Sequence, residues 1–416
     1  MKIKNNFDVI VIGGGAAGMM AAGEAAKLGS STLLIEKTKR CGNKLAITGK
    51  GRCNITNTAS RADFLKHVNY KGNFLKPAFA NIFSDYLIDF FETEGLETII
   101  ERGGRVFPKS EKAIDVVRTL EKYCLKNDVT IKKSDGVKSL IVENNTIKGV
   151  FAKSGDTILA KKVILATGGA SYPLTGSTGD GYKIAAKIGH SIVPIRPILV
   201  PLVTKENYKN LSGLNLRNVK ISVWIDGKKF MEKFGEMEFT EFGISGAIVL
   251  TLSRYCIDFI KDKKNVVFSI DLKPALDEKK LDQRLLRDFN DFGNERFGVL
   301  LRKLMPSKLV QVCVQETEIF AEKPANQISA KERKQLRFWL KNFELNIEGH
   351  RNFSEAIVTA GGISLKEVNP KTMESKIIKN LFFAGEVLDL DADTGGYNLQ
   401  IAFSTACLAA RNAAKI

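Results

Sequence analysis

The feature that most restricts this chain is the turn at its start. Residues 7–12 (FDVIVI) are an unbroken apolar run, Gly13, Gly15 and Gly18 follow in GxGxxG spacing, and an Ala-rich stretch from Ala16 to Leu28 ends at Gly29. An apolar run without alternation suits a strand buried on both faces of a parallel sheet. A glycine just past a periodic segment suits the end of a helix. A lone GxGxxG says little, but between a strand and a helix it has a mechanism. Gly13 allows the tight turn, Gly15 lets backbone approach a pyrophosphate, and Gly18 lets helix and strand pack closely. Ala16 and Ala17 open the helix, whose first N–H groups have no partner within it and suit a phosphate. The next strand, STLLIEK, ends at Glu36 and Lys37. The Glu36 carboxylate can accept hydrogen bonds from ribose hydroxyls and repels a 2′-phosphate, which disfavours NADP here.

At 416 residues the chain is longer than one core supports, so two or three domains are expected. Residues 59–125 read as a helical subdomain, and 129–165 alternate as short strands ending in KVILATGG. From 193 three prolines (194, 197, 201) mark a change to extended segments, and the glycine-rich texture returns only after 352. These changes divide the chain into a first domain (1–192 and 352–416) interrupted by a β-rich insert (193–275) and a helical one (276–351). The class is α/β, a Rossmann-type domain of parallel sheet plus β-meander.

Composition excludes several functions. The six cysteines (41, 53, 124, 256, 313, 407) form no CxxC pair and have no histidine cluster nearby, which excludes a zinc site or a disulfide framework and suits a reducing cytoplasm. No metal is expected. No apolar run is long enough to span a bilayer, and MKIKNNFDVIVIGGG has no small-residue cleavage site, so a cytoplasmic protein without a membrane partner is expected. The net charge of +17 is spread as single lysines, densest in KERKQLRFWLK (331–341). It reads as a solvated surface that attracts an anionic cofactor or substrate rather than as a nucleic-acid module, since basic and aromatic residues do not interleave as RNA binding requires. Nothing in the sequence specifies an oligomer.

Two further strands decide between dinucleotides. KVILATGG (162–169), with Thr167 and Gly168, and LFFAGEVLD (381–389), with Gly385 and Glu386, resemble the paired strand ends of FAD proteins of the glutathione-reductase-like superfamily. The second strand there ends in an acid, usually Asp. Here either Glu386 or Asp389 takes that place. Three longer stretches narrow the resemblance: KLAITGKGRCNITN (44–57), VTAGGISLKEVNPKTMESK (358–376) and FAGEVLDLDADTGGYNLQIAFSTA (383–406) resemble the BaiN/YhiN-type flavoproteins. That resemblance implies a Rossmann FAD domain interrupted by a β-barrel-like and helical insert. It implies reaction poorly, because members are named for dissimilar reactions. By resemblance, Glu36 and Lys37 flank the adenosine, and the backbone of Val137 meets the adenine. Asn43, Gly49 and Asn54 lie along the phosphates and flavin. Gly396, Asn398 and Leu399 open a helix facing the flavin pyrimidine edge.

The chemistry-bearing residues are fewer. Lys44 and Arg52, in the flavin-side loop, either bind a small-molecule substrate or neutralise the pyrophosphate. Tyr397, Tyr172 and Glu241 are proton donors or plain packing residues. Cys41 and Cys53 are too far apart in sequence for the usual redox pair, and His190, after Gly189, reads as structural. FTEFGISG (239–246) reads either as a polar loop facing the flavin across the substrate cavity from Arg52 or as a turn that starts a helix, with Ser245 as its cap. The expected activity is hydride exchange between flavin N5 and a small organic substrate at an activated C=C, amine or alcohol carbon. FAD is expected to be non-covalent, because no histidine lies in the flavin-side motifs. With no second GxGxxG, NAD(P)H serves at most as a transient reductant. The rival readings are an RNA-associated flavoprotein of the tRNA-modification type and a flavin redox sensor without turnover.

Overall fold

In the computed structural model, which describes residues 6–69 and 71–415, the opening apolar run is the strand Asn6–Ile12. It pairs in parallel with Thr32–Ile35 on one side and Thr157–Leu165 on the other. Val9, Ile10 and Val11 have no exposed surface, as a strand covered on both faces requires. Thr130–Lys132 extends the parallel order past Thr32–Ile35. Thr157–Leu165 is long enough to serve two further neighbours. Its first residues pair antiparallel with Thr146–Ala152, itself hairpinned to Val137–Glu143, and its last three pair in parallel with Leu381–Phe383. Both ends of the chain therefore complete one Rossmann-type sheet with a meander.

Two small-residue helices, Ala16–Lys27 and Tyr397–Ala413, pack against each other. Their alanines and glycines bring the backbones close enough to enclose a charge. Glu24 is 4% exposed; its carboxylate accepts from Arg411 Nε at 2.9 Å and from the Tyr123 hydroxyl at 3.0 Å. Such partners offset the desolvation that burying a carboxyl group costs. The stretch 59–125 is helical but also carries part of a small antiparallel sheet, Thr56–Asn57 with Arg105–Pro108 and Thr98–Glu101. Strands of two to four residues are too short to show a period, so the sequence pattern missed them.

The chain divides into two compact units, Met1–Pro197 with Phe353–Ile416, and Ile198–Asn352. Within the second, six described strands close into an antiparallel barrel. Phe343–His350, in the span read as helical, is one of them. Phe343, Leu345 and Ile347 alternate inward, and the strand closes the barrel between Val266–Asp271 and Leu202–Thr204. Helices including Glu278–Asp291 and Ala330–Lys341 share the barrel's core through Phe289, Leu336 and Trp339. Ser245 is not a helix cap. It pairs with Glu238 in the barrel, and helix Ala247–Lys261 starts from Gly246 at φ +97° without a side-chain cap.

Removing one partner of the Glu24 pair should expose what it contributes. Arg411→Ala is expected to destabilise the protein by about 3 kcal/mol in urea unfolding, because it strands a buried carboxylate. The double variant Glu24→Leu with Arg411→Leu should recover part of the loss. Wild-type stability in Arg411→Ala would contradict this account.

Candidate functional site

Built onto the turn after Asn6–Ile12, a Cβ at Gly13 would lie 2.6 Å from the Ala166 carbonyl oxygen, and one at Gly18 would lie 1.7 Å from that of Gly13. A Cβ at Gly15 would meet nothing within 4 Å. Gly13 and Gly18 are thus fixed by packing, whereas Gly15 faces open space. Met19 N–H makes the first helical bond, to the Gly15 carbonyl, which leaves the N–H groups of Ala16, Ala17 and Gly18 without an intrahelical acceptor. Glu36 is pinned beside this opening. Its two oxygens accept from Gly14 N–H and Thr38 N–H, both at 2.7 Å. Lys37 is drawn to Thr178 and, at 2.8 Å, to Asp180, the first residue of helix Asp180–Lys187, so its ammonium is already paired. Val137 begins the meander, and the backbone bond from Asp135 N–H to the Glu36 carbonyl (3.2 Å) holds that end of the meander against Glu36.

A second group of polar residues gathers from four distant stretches. Lys44 reaches Glu386 at 2.8 Å and Ser171 Oγ at 2.6 Å, and Glu386 also accepts from Thr359 N–H at 2.8 Å. Asn43 sits alongside, donating to Thr38 Oγ1 at 3.0 Å. A Cβ at Gly385 (φ +75°) would lie 2.8 Å from that of Ala17, which fixes this strand end against the start of the first helix. Asp389 is buried and paired with Lys71, apart from the Lys44–Glu386 group. Thr167 Oγ1 is buried without a partner among the described residues, and Gly168 turns the chain at φ +71°. Ser171 and Thr359 escaped the sequence reading, because single hydroxyl residues beside glycines carry no distinguishing pattern.

The flavin-side loop departs from expectation at Arg52. Its guanidinium pairs with Glu101 at 2.5 Å and Glu111 at 2.7 Å and lies over the Phe107 ring at 4.4 Å, so it is already committed. Gly49 turns the loop at φ +58°. Asn54 Oδ1 is buried without a partner among the described residues. It lies 2.9 Å from where a Cβ on Gly396 would be, and that Cβ would also clash with the Thr56 carbonyl at 2.3 Å. Gln400 N–H bonds the Gly396 carbonyl, so the N–H groups of Tyr397, Asn398 and Leu399 have no intrahelical acceptor. The Asn398 side chain braces the preceding loop, accepting from Ala392 N–H at 2.9 Å and donating to its carbonyl at 2.8 Å.

Several candidate groups are packing residues. Tyr397 is buried, edge-on to Phe64 at 4.6 Å and stacked on His67 at 4.3 Å, and burial pushes its phenol above the ordinary range. Burial likewise raises the Tyr172 phenol. Glu241 is exposed on the barrel unit. Burial pushes the thiols of Cys41 and Cys53 up to about 12, and both are free, so neither is a poised thiolate. His190 is buried, with Nδ1 3.1 Å from Glu367 and Nε2 3.0 Å from Ser375 Oγ. Ser375 Oγ already accepts from Ile377 and Ile378 N–H, so its proton points at Nε2 and the imidazole is neutral.

Strand, open glycine turn, terminal acid and glycine-opened last helix define a Rossmann-type flavoprotein oxidoreductase. Within that class the chain belongs to the HI0933-like family, whose profile, described as HI0933-like protein Rossmann domain, matches residues 7–412. It is 32% identical to a 3-dehydro-bile acid delta(4,6)-reductase of Clostridium scindens, over 97% of this chain and 98% of that one. It is 31% identical to a ribosomal RNA dihydrouridine synthase of Haemophilus influenzae, over 95% and 96% respectively. Among solved structures, the fold is similar to that of 3-ketosteroid delta1-dehydrogenase from Sterolibacterium denitrificans, at a TM-score of 0.52 and 15% identity, covering 99% of this chain and all of that one.

Two outcomes are expected. Gly15→Val should fold as the wild type does but purify without flavin colour, whereas Gly18→Val should fail to fold; a yellow Gly15→Val protein would count against the cradle. For His190, burial outweighs the attraction of Glu367 and lowers its pKa below the ordinary 6.5. The unfolded chain then binds the extra proton first, so this contribution is complete above about pH 6.5 and is lost as pH falls below it. Thermal melts should show that decline in the wild type and a flatter profile in His190→Gln over the same window. An equal decline in both would show that His190 is not its source.

Proposed function

We propose that this oxidoreductase holds FAD non-covalently in the cradle and uses it to saturate a carbon–carbon double bond conjugated to a carbonyl. The observation that carries the reading is the chemistry shared by two relatives matched along their whole lengths. Both names, a delta(4,6)-reductase of 3-dehydro bile acids and a dihydrouridine synthase, describe saturation of such a bond. This narrows the sequence expectation, which left amine and alcohol carbons open.

The residues fit FAD. The space at Gly15 that a Cβ would fill admits a pyrophosphate, and the N–H groups of Ala16, Ala17 and Gly18 are available to bond it. Glu36, oriented by Gly14 and Thr38, keeps lone pairs for ribose hydroxyls. The unpartnered Asn54 Oδ1 and Thr167 Oγ1 are polar atoms that a bound ligand would satisfy. The N–H groups of Tyr397, Asn398 and Leu399 favour negative charge at the pyrimidine edge of a reduced flavin. Bound there, FAD supplies hydride chemistry at N5. Lys44 with Glu386, a neutral pair, and Arg52 with Glu101 and Glu111 position the surrounding loops. The buried, protonated Cys53 thiol argues against a covalent link.

A second reading concerns the molecule that carries the double bond. The Haemophilus influenzae relative is named for an RNA product. A uracil ring in RNA is therefore the alternative to a free small molecule. Acid precipitation should release FAD from the polypeptide. The holoenzyme, reduced anaerobically by NADH or NADPH, should be reoxidised by a conjugated steroid enone or by unmodified ribosomal RNA. Flavin retained on the precipitate, or no reoxidation by either acceptor, would overturn the proposal.

A further inference from the structure

Saturating a conjugated double bond takes a proton as well as a hydride, and most of the groups described so far are buried or already paired. The Tyr397 phenol and the Cys53 thiol are buried, Lys44 is paired with Glu386, and Arg52 with Glu101 and Glu111. A different residue stands at the start of the last helix. Val68 and Ala392 form an antiparallel bridge. Three side-chain pairs cross this clasp: His67 with Asp393, Asn69 with Asp391, and Lys71 with Asp389. Two are what a structural clasp needs, a neutral amide bonded to an acid and a lysine bonded to an acid. The pair nearest Gly395 and Gly396 is of another kind.

His67 Nδ1 lies 3.0 Å from Asp393 Oδ2, and Asp393 N–H bonds the His67 carbonyl at 2.9 Å, so the imidazole is held through both its ring and its backbone. The ring stacks on Tyr397, the first residue of the last helix, with centroids 4.3 Å apart and planes 20° apart. The Asp393 side chain is 5% exposed and that of His67 36%. The dyad thus has a buried, orienting carboxylate and an accessible imidazole, the arrangement by which one ring nitrogen is fixed so that the other can exchange a proton. Of the three histidines, His190 is locked between Glu367 and Ser375, and His350 belongs to the other unit. Asn398, one residue past Tyr397, braces the Asp393 carbonyl at 3.2 Å, so the dyad is tied to the helix start assigned above to the flavin pyrimidine edge.

We propose that His67, oriented by Asp393 and Tyr397, is the general acid of the reaction. The inference rests on the double-bond reduction proposed above. Bound FAD, once reduced, would supply a hydride to the β-carbon, and the enolate so left would need a proton at its α-carbon. The Nε2–H bond of the protonated imidazole breaks, its proton forms the new C–H bond at the α-carbon, and the neutral imidazole is reprotonated from solvent. A nicotinamide dinucleotide or dithionite supplies the electrons that reduce FAD.

The test compares two acceptors on the reduced holoenzyme of wild type and His67→Asn. Cyclohexenone needs the proton for its reduction to be completed, whereas nitrocyclohexene yields a nitronate that is stable without one. The variant should reoxidise roughly 100-fold or more slowly with cyclohexenone, the usual contribution of a general acid. With nitrocyclohexene it should keep the wild-type rate and release nitronate, where the wild type releases nitroalkane. Nitroalkane from the variant, or unchanged reoxidation by cyclohexenone, would overturn the assignment. A readout independent of turnover uses nitrogen-15 histidine NMR of the wild-type holoenzyme, with its three histidines assigned by single substitutions. The His67 signals should move when the flavin is reduced. Stationary His67 signals would place the ring away from the flavin and overturn the proposal even if the variant failed to fold. A wild type inert to both acceptors contradicts the small-molecule reading of the preceding section instead, and the NMR result then decides His67 by itself.

Discussion

The Rossmann unit depends on one close approach, that of Gly18 to the carbonyl of Gly13. With 1.7 Å between that oxygen and the position a Cβ would take, only glycine lets the first helix begin directly against the end of its strand. The helix start, with its unbonded N–H groups, is thereby held at the sheet's edge beside Gly15, where no side chain fills the space. The same economy recurs at the other end of the chain. Gly385 lets the last strand close on Ala17, and Gly396 lets the last helix begin against Thr56. Two helix starts and two strand ends, far apart in sequence, are brought together because glycine removes the atoms that would separate them.

Around this frame the charged groups are largely spent on one another. Glu24 with Arg411, Lys44 with Glu386, Lys37 with Asp180, and Arg52 with two glutamates are all pairs in which a partly or fully buried charge is offset by its partner. What remains for a ligand is chiefly backbone N–H, together with the side-chain oxygens of Asn54 and Thr167. A cofactor that carries its own charge and its own reactivity suits such a site, because the protein's contribution is then position and electrostatics.

Much of this was legible in the sequence where residue type has a single physical use. Glycines spaced to suit a tight turn, an uninterrupted apolar strand and an acid ending the next strand each exclude most alternatives. The paired strand ends at 162–169 and 381–389 named the other half of the sheet across the long insertion. Less was legible where the outcome depends on partners. Arg52 and Tyr397 each carried two readings, because nothing near Arg52 in sequence announces Glu101 and Glu111, and the packing of Tyr397 on Phe64 and His67 is tertiary. Spacing leaves Glu386 and Asp389 equal, and the partners that distinguish them, Lys44 for the one and Lys71 for the other, come from distant stretches of the chain. The strand Phe343–His350 carried its alternation openly but followed four helices, so its role in closing the barrel needed the fold.

The central claim is that FAD lies with its pyrophosphate at the first helix and its pyrimidine edge at the last. A crystal structure of the protein purified with its flavin tests this most directly. The account predicts pyrophosphate density within hydrogen-bonding distance of the backbone N–H groups of residues 15–18, and the flavin carbonyl edge against those of 397–399. Flavin density elsewhere, with the space at Gly15 filled by solvent alone, would contradict it.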